Sequence, residues 1–73
     1  MQLTIGMSYI DGRGVEVLIA GPTRDYPDLV YSRAGDWYLK SSGEYIGYGK
    51  HEGEWQHYTL HPKSPRNLVR VVR

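Results

Sequence analysis

The sequence predicts an all-β domain, and three observations carry that prediction. Apolar and polar residues alternate at period two in several short runs. Glycine-centred turn signals recur every eight to ten residues through the middle of the chain. No segment of ten or more residues lacks glycine and proline while showing i, i+3, i+4 apolar spacing. Period-two alternation puts each apolar set on one face of a pleated strand, whereas a helix needs the longer period.

Taken in order, Leu3, Ile5, Met7 and Tyr9 alternate with Gln2, Thr4, Gly6 and Ser8, and predict a first strand. Val15, Val17 and Ile19 predict a second. Asp11-Gly12-Arg13-Gly14 between them makes the pair a β-hairpin, because Asp-Gly supplies the positive φ angles of tight turns. Gly21-Pro22-Thr23-Arg24-Asp25-Tyr26-Pro27 reads as a loop. Residues 28–32 follow as a short strand, with Leu29 and Tyr31 on one face and Val30 on the other. Gly35-Asp36-Trp37, Gly43-Glu44-Tyr45 and Gly53-Glu54-Trp55 then repeat one pattern of glycine, acid and aromatic. We read the repeat as three hairpin turns of similar chemistry. After His61-Pro62-Lys63-Ser64-Pro65, with a single turn of 3₁₀ helix expected at residues 64–67, residues 68–72 form a last strand with apolar residues on both faces. Such a strand is either covered on both sides or pairs with a second copy. The sum is about six short antiparallel strands in a meander, forming a strongly bent sheet or a small open barrel, SH3-like in size. Closure answers the edge problem that a lone meander leaves.

The 73 residues make room for a single domain, 1–73. So short a chain buries a modest share of its surface, and often leans on disulfides, a metal or self-association. With no cysteine, disulfides and thiolate metal sites are excluded. A tight core or a homo-oligomer remains as the stabiliser. Nine basic and eight acidic residues give a net charge of +1, which is not the basic excess of a phosphate-backbone binder. Lys63, Arg66, Arg70 and Arg73 form one acid-free stretch, read as the solvated charges that protect a strand edge. Met1-Gln2-Leu3-Thr4-Ile5 lacks the basic and apolar regions of a secretory signal, and no apolar run approaches a membrane span of about 20 residues. A cytoplasmic location is expected.

Catalytic chemistry finds little footing. There is no cysteine nucleophile, and no serine sits in a Gly-x-Ser-x-Gly elbow. Gly12-Arg13-Gly14 is too short for a dinucleotide loop and precedes a strand. His51, His57 and His61 cluster with Glu52 and Glu54. Strand residues four apart lie about 13 Å from each other, so His57 and His61 cannot share a metal without a fold-back. No metal and no cofactor are expected. Glu44, Glu52 and Glu54 read as solvated turn carboxylates, and the chain is expected to be no enzyme.

The aromatic content stands out: seven tyrosines, two tryptophans and no phenylalanine. Tyrosine and tryptophan suit half-wet surfaces and dominate interaction hot spots, whereas a purely apolar core would draw on phenylalanine as well. Neighbours in Trp37-Tyr38 must point to opposite faces, so one of them lies outside the core; Tyr45 and Tyr48 differ in parity likewise. The expected binding residues are Trp37, Tyr38, Tyr45, Tyr48, Trp55 and Tyr58, with Arg33 and Lys40 nearby. Against this stands a plainer reading, in which the tyrosines fill a thin core and lift their hydroxyls to water.

The order of Asp11-Gly12-Arg13, a valine-rich strand, Tyr26-Pro27, the Trp37 strand, Gly43-Glu44-Tyr45 and Asn67-Leu68-Val69 resembles small uncharacterised proteins encoded by bacteriophages and prophages. In those proteins the arginine precedes the Asp-Gly and the closing segment begins with aspartate; here Arg13 follows, and Asn67 stands at the close. The resemblance spans most of the chain and implies a phage accessory protein in a bacterial host cytoplasm, without a defined activity. The combined expectation is a non-enzymatic, host-modulating (anti-defence type) module that binds a host or phage protein. One alternative is a barrel that binds single-stranded nucleic acid, with Trp37, Tyr45, Trp55 and Tyr58 as stacking platform and Arg66, Arg70 and Arg73 as groove. Another is a structural component of phage assembly, supported by the two-faced end strand.

Overall fold

The computed structural model describes the backbone of residues 1–51, 53–59 and 64–72, and the side chains of residues 1–47 and 64–72. Among the described residues seven strands form one antiparallel sheet: β1 (Ser8–Asp11), β2 (Glu16–Pro22), β3 (Leu29–Ser32), β4 (Trp37–Leu39), β5 (Tyr45–His51), β6 (Glu54–Thr59) and β7 (Leu68–Val71). Their spatial order is β6-β5-β4-β3-β2-β1-β7, so the first six make a plain meander and β7 returns to lie beside β1. No helix occurs among the described residues; residues 64–67 form a turn in which the Asn67 amide donates to the Ser64 carbonyl (3.1 Å).

The sheet curls into a half-barrel, and a few bonds draw its sides together. At the start of β7 the Leu68 amide donates to the Gly43 carbonyl at 2.9 Å, in the turn between β4 and β5. The Asn67 side-chain oxygen accepts from the Tyr45 amide at 2.9 Å. Beside them the Gly12 amide donates to the Asn67 carbonyl (3.2 Å), and a β-carbon at Gly12 would come 2.9 Å from the Pro65 carbonyl oxygen. Glycine there lets the β1–β2 turn rest directly on the 64–67 turn.

Two sequence expectations need correction at the start of the chain. The alternation over residues 3–9 is not one strand. The Met7 amide donates to the Thr4 carbonyl (3.1 Å), and Gly6 takes φ 92° at the third position of that turn. The turn breaks the alternation, so Leu3 and Tyr9 are buried while Ile5 and Met7 are each 42% exposed. The β1–β2 hairpin forms as expected, but Gly14, not the Asp-Gly pair, carries the positive φ (82°). Further along, Gly21 and Pro22 belong to β2 and not to the loop. The register shifts between Ile19 and Gly21 and pairing then resumes with Tyr31 and Val30; a proline at a strand end just past such an irregularity breaks no central ladder.

Each glycine of the threefold pattern turns the chain in the left-handed region: Gly35 at 95°, Gly43 and Gly53 at 84°. The shared chemistry is that of turns, and the strands that follow begin at Trp37, Tyr45 and Glu54.

Among the described residues the core cluster lies on the inner face. Leu3, Tyr9, Val17, Ile19, Val30, Tyr38 and Leu68 pack together, with Tyr45 and Val71 against them. In β7 only one face is covered: Leu68 is buried, while Val69 and Arg70 are exposed at the sheet edge.

Candidate functional site

Register sorts the aromatics. Val30 opposes Tyr38 and Tyr38 opposes Tyr45, all on the inner face. Tyr31 opposes Trp37 and Trp37 opposes Ile46, so these three share the outer face, with Leu29 opposite Leu39 on the same side. Successive side chains alternate across the sheet, and this alone separates Trp37 from its neighbour.

Tyr38 therefore leaves the expected binding set. It is 1% exposed, in the middle of the core. Burial first, then the nearby Asp36, Asp11 and Tyr45, pushes its hydroxyl up to about 12 against a small opposing effect of Arg13. Tyr45 is partly buried at the core's rim. Its ring meets Tyr38 edge-on at 5.7 Å, its hydroxyl accepts from the Arg66 guanidinium at 2.9 Å, and Arg66 lies 5.1 Å from its ring centroid. Arg66 also approaches Asp36 at 4.0 Å. Tyr45 thus joins core to turn.

Trp37 is half-buried on the outer face, with Tyr26 beside it at 5.6 Å between ring centroids and planes tilted by 54°. Tyr31, across the strand pair, is 39% exposed. Tyr26, Tyr31 and Trp37 make an aromatic strip on the outer face, which also carries buried Leu29 and Ile46. Arg33 and Lys40 stand at the two ends of β4, both exposed. The side chains of Tyr48, Trp55 and Tyr58, and those of His51, His57 and His61, lie outside the described residues; the backbone pairs Tyr48 with His57, Lys50 with Trp55 and Gly47 with Tyr58. Among the described residues no group of three His, Asp or Glu side chains is placed to hold a metal ion.

Sequence reasoning missed Tyr26 and Tyr31. The parity of β3 does set Tyr31 apart from Val30, but parity does not say which face is inward. It also missed a cleft of about 470 Å³ at the end of the sheet, between the β1–β2 and β3–β4 turns. Arg13, Glu16, Arg33 and Asp36 supply its charge, and Val15, Val17 and Leu18 its apolar lining. Behind Arg13 stands Asp11, whose side chain is fully buried while that of Arg13 is 41% exposed. The Asp11 carboxylate accepts from the Arg13 Nε (3.0 Å) and Nη2 (2.8 Å) and from the amides of Arg13 (2.8 Å) and Val15 (3.0 Å). Burial raises the pKa of this carboxyl, but the bonds from Arg13 and Val15 and the Arg13 charge outweigh it and hold it below the usual value of 3.8. Arg33 has no side-chain partner among the described residues; its backbone amide donates to the Leu18 carbonyl (3.0 Å).

No helix among the described residues is long and apolar enough to cross a membrane. Comparison with protein-family models, curated proteins and solved structures finds no match.

Proposed function

We propose that the chain is a non-enzymatic protein-binding module that docks through the outer face of β3 and β4. One observation carries this reading: the cross-strand pair Tyr31 and Trp37, extended by Tyr26, sits on the side of the sheet away from the core. The inner-face core of Leu3, Tyr9, Val17, Ile19, Val30, Tyr38 and Leu68 includes none of these rings. Tyrosine and tryptophan on rigid strands give large contact area at low entropic cost, as interface hot spots require. Arg33 and Lys40 at the ends of β4 suit a partner with an apolar patch rimmed by acids. The phage accessory, host-modulating role implied by the sequence resemblance fits such a module, and the partner is then a host or phage protein.

The nucleic-acid alternative draws less support, because register places Trp37 and Tyr45 on opposite faces and Tyr45 already holds Arg66. The test is a quantitative capture from bacterial lysate with three baits: the wild type, a Tyr26→Ala/Tyr31→Ala double variant, and Val69→Ala at the distant edge of β7. A protein retained by the wild type and Val69→Ala but lost by the double variant supports the reading. Equal retention by all three folded baits contradicts it.

A further inference from the structure

The Asp11-Gly12 pair has no part in the docking reading above. It lies where β1 ends, away from the outer face of β3 and β4. Among the aspartates and the asparagine of the chain, Asp11 alone precedes a glycine; the others precede tyrosine, leucine or tryptophan. An aspartate before glycine is the pair most open to cyclisation, since no side chain shields the glycine nitrogen or restrains its backbone. Packing nevertheless demands the glycine, because a β-carbon at residue 12 would come 2.9 Å from the Pro65 carbonyl oxygen. The fold engages both reacting groups elsewhere. The Gly12 amide donates to the Asn67 carbonyl at 3.2 Å. The fully buried Asp11 carboxylate takes its bonds from Arg13 and from the Val15 amide, and none from Gly12. Those bonds favour the ionised form, which gives up an oxygen far less readily than the acid does.

We propose that Asp11-Gly12 is an isomerisation site that the fold keeps shut, and that isoaspartate forms there once the β1–β2 turn lifts from the 64–67 turn. In the opened chain the Gly12 nitrogen attacks the carboxyl carbon of protonated Asp11. A C–N bond forms and the C–OH bond breaks. The hydroxyl takes the amide proton and leaves as water, and the product is a cyclic succinimide. Water then opens the ring at either carbonyl, restoring aspartate or giving isoaspartate, so the two steps consume no other reagent. In isoaspartate the backbone runs through the former side chain and is one carbon longer. The carboxylate now stands on the α-carbon, out of register with Arg13 and Val15, and Gly12 is displaced from Asn67 and Pro65. The modification therefore marks molecules whose turn has opened and keeps that turn from closing again.

The experiment holds the full-length protein at neutral pH and one temperature, in native buffer and in guanidinium chloride that unfolds it. Fragmentation mass spectrometry follows isoaspartate at Asp11, Asp25, Asp28 and Asp36. In the unfolded chain isoaspartate should accumulate at Asp11 ahead of the other three. In native buffer the Asp11 rate should fall at least about tenfold, by the factor that the closed turn imposes. Asn67→Ala removes the side-chain bond to the Tyr45 amide that anchors the 64–67 turn. It should speed the reaction in native buffer and leave the unfolded rate unchanged. Guanidinium below the unfolding transition should barely alter the variant's rate, since lifting one turn exposes little surface. A native rate equal to the unfolded one, or no excess at Asp11 in the unfolded chain, would overturn the proposal. So would an Asn67→Ala rate no faster than wild type, or one that climbs with denaturant as global unfolding does.

Discussion

Tyr31 lies across the strand pair from Gly21 and fills the space a side chain at Gly21 would take: a β-carbon there would meet the Tyr31 hydroxyl at 2.8 Å and two ring carbons at 3.0 Å. The glycine is what lets this ring lie flat on the outer face. Gly21→Ala should therefore displace the ring, while the fold survives. The ring is 39% exposed, so we expect a stability change within about 1 kcal/mol. Partner capture should fall with the lost ring position. Urea unfolding beside the capture assay checks both; a large loss of stability would mean that the ring serves the core.

Gly43 makes the opposite case. It has φ 84°, and a β-carbon would meet the Leu68 β-carbon at 3.2 Å and its carbonyl oxygen at 3.4 Å, where β7 closes on the β4–β5 turn. Gly35 has φ 95° but open space around it. Gly35→Ala should cost about 1 kcal/mol from backbone strain alone, and Gly43→Ala about 2–3 kcal/mol because packing is added to it. Matched urea unfolding curves give the difference; equal costs would remove the proposed closure at Leu68.

Asp11 sets the acid limit. Its carboxyl is held below 3.8 in the fold, so its contribution is fully present above that value and is lost as pH falls through the lower, folded value. Asp11→Asn should lower stability at neutral pH by about 1–3 kcal/mol and flatten the loss below pH 3.8. Unfolding curves across a pH series provide the measurement, and an unchanged acid slope in the variant would contradict this role.

Tyr38 sets the alkaline limit. Its pKa is raised from 10.0 to about 12, so the protonated fold is fully stabilised below 10.0 and that stability drains away as pH climbs toward 12. Among the described residues its hydroxyl makes no hydrogen bond. Tyr38→Phe should therefore cost less than about 1 kcal/mol at neutral pH and hold its fold better in alkali. Tyrosine absorbance followed together with circular dichroism decides it: Tyr38 should ionise last, as the fold opens.

The strand meander was legible because alternation and glycine turns are local signals, and residues 28–39 follow them closely. The first segment was not, because the Leu3 to Tyr9 alternation is interrupted by a glycine turn held by the Gly6 amide donating to the Ile19 carbonyl, the Ile19 amide donating to the Met7 carbonyl and the Thr4 amide donating to the Tyr9 hydroxyl, bonds that local pattern does not reveal. Parity told that Trp37 and Tyr38 face opposite ways, yet only the curl of the sheet decides that Tyr38 points inward. The end cleft was illegible for the same reason: Arg13 and Arg33 are twenty residues apart in the chain and meet only when two hairpins align.

The central claim is that the inner face makes the fold and the outer face makes the contact. The most direct test pairs Ile19→Ala, at a fully buried inner position, with the Tyr26→Ala/Tyr31→Ala double variant, each measured by thermal unfolding and by partner capture. Ile19→Ala should cost about 2–5 kcal/mol, enough to unfold much of so small a domain. The outer-face variant should keep a cooperative melt within a few degrees of the wild type and lose the partner. An outer-face variant that melts as badly as Ile19→Ala, or that melts normally and still captures the partner, would contradict the account.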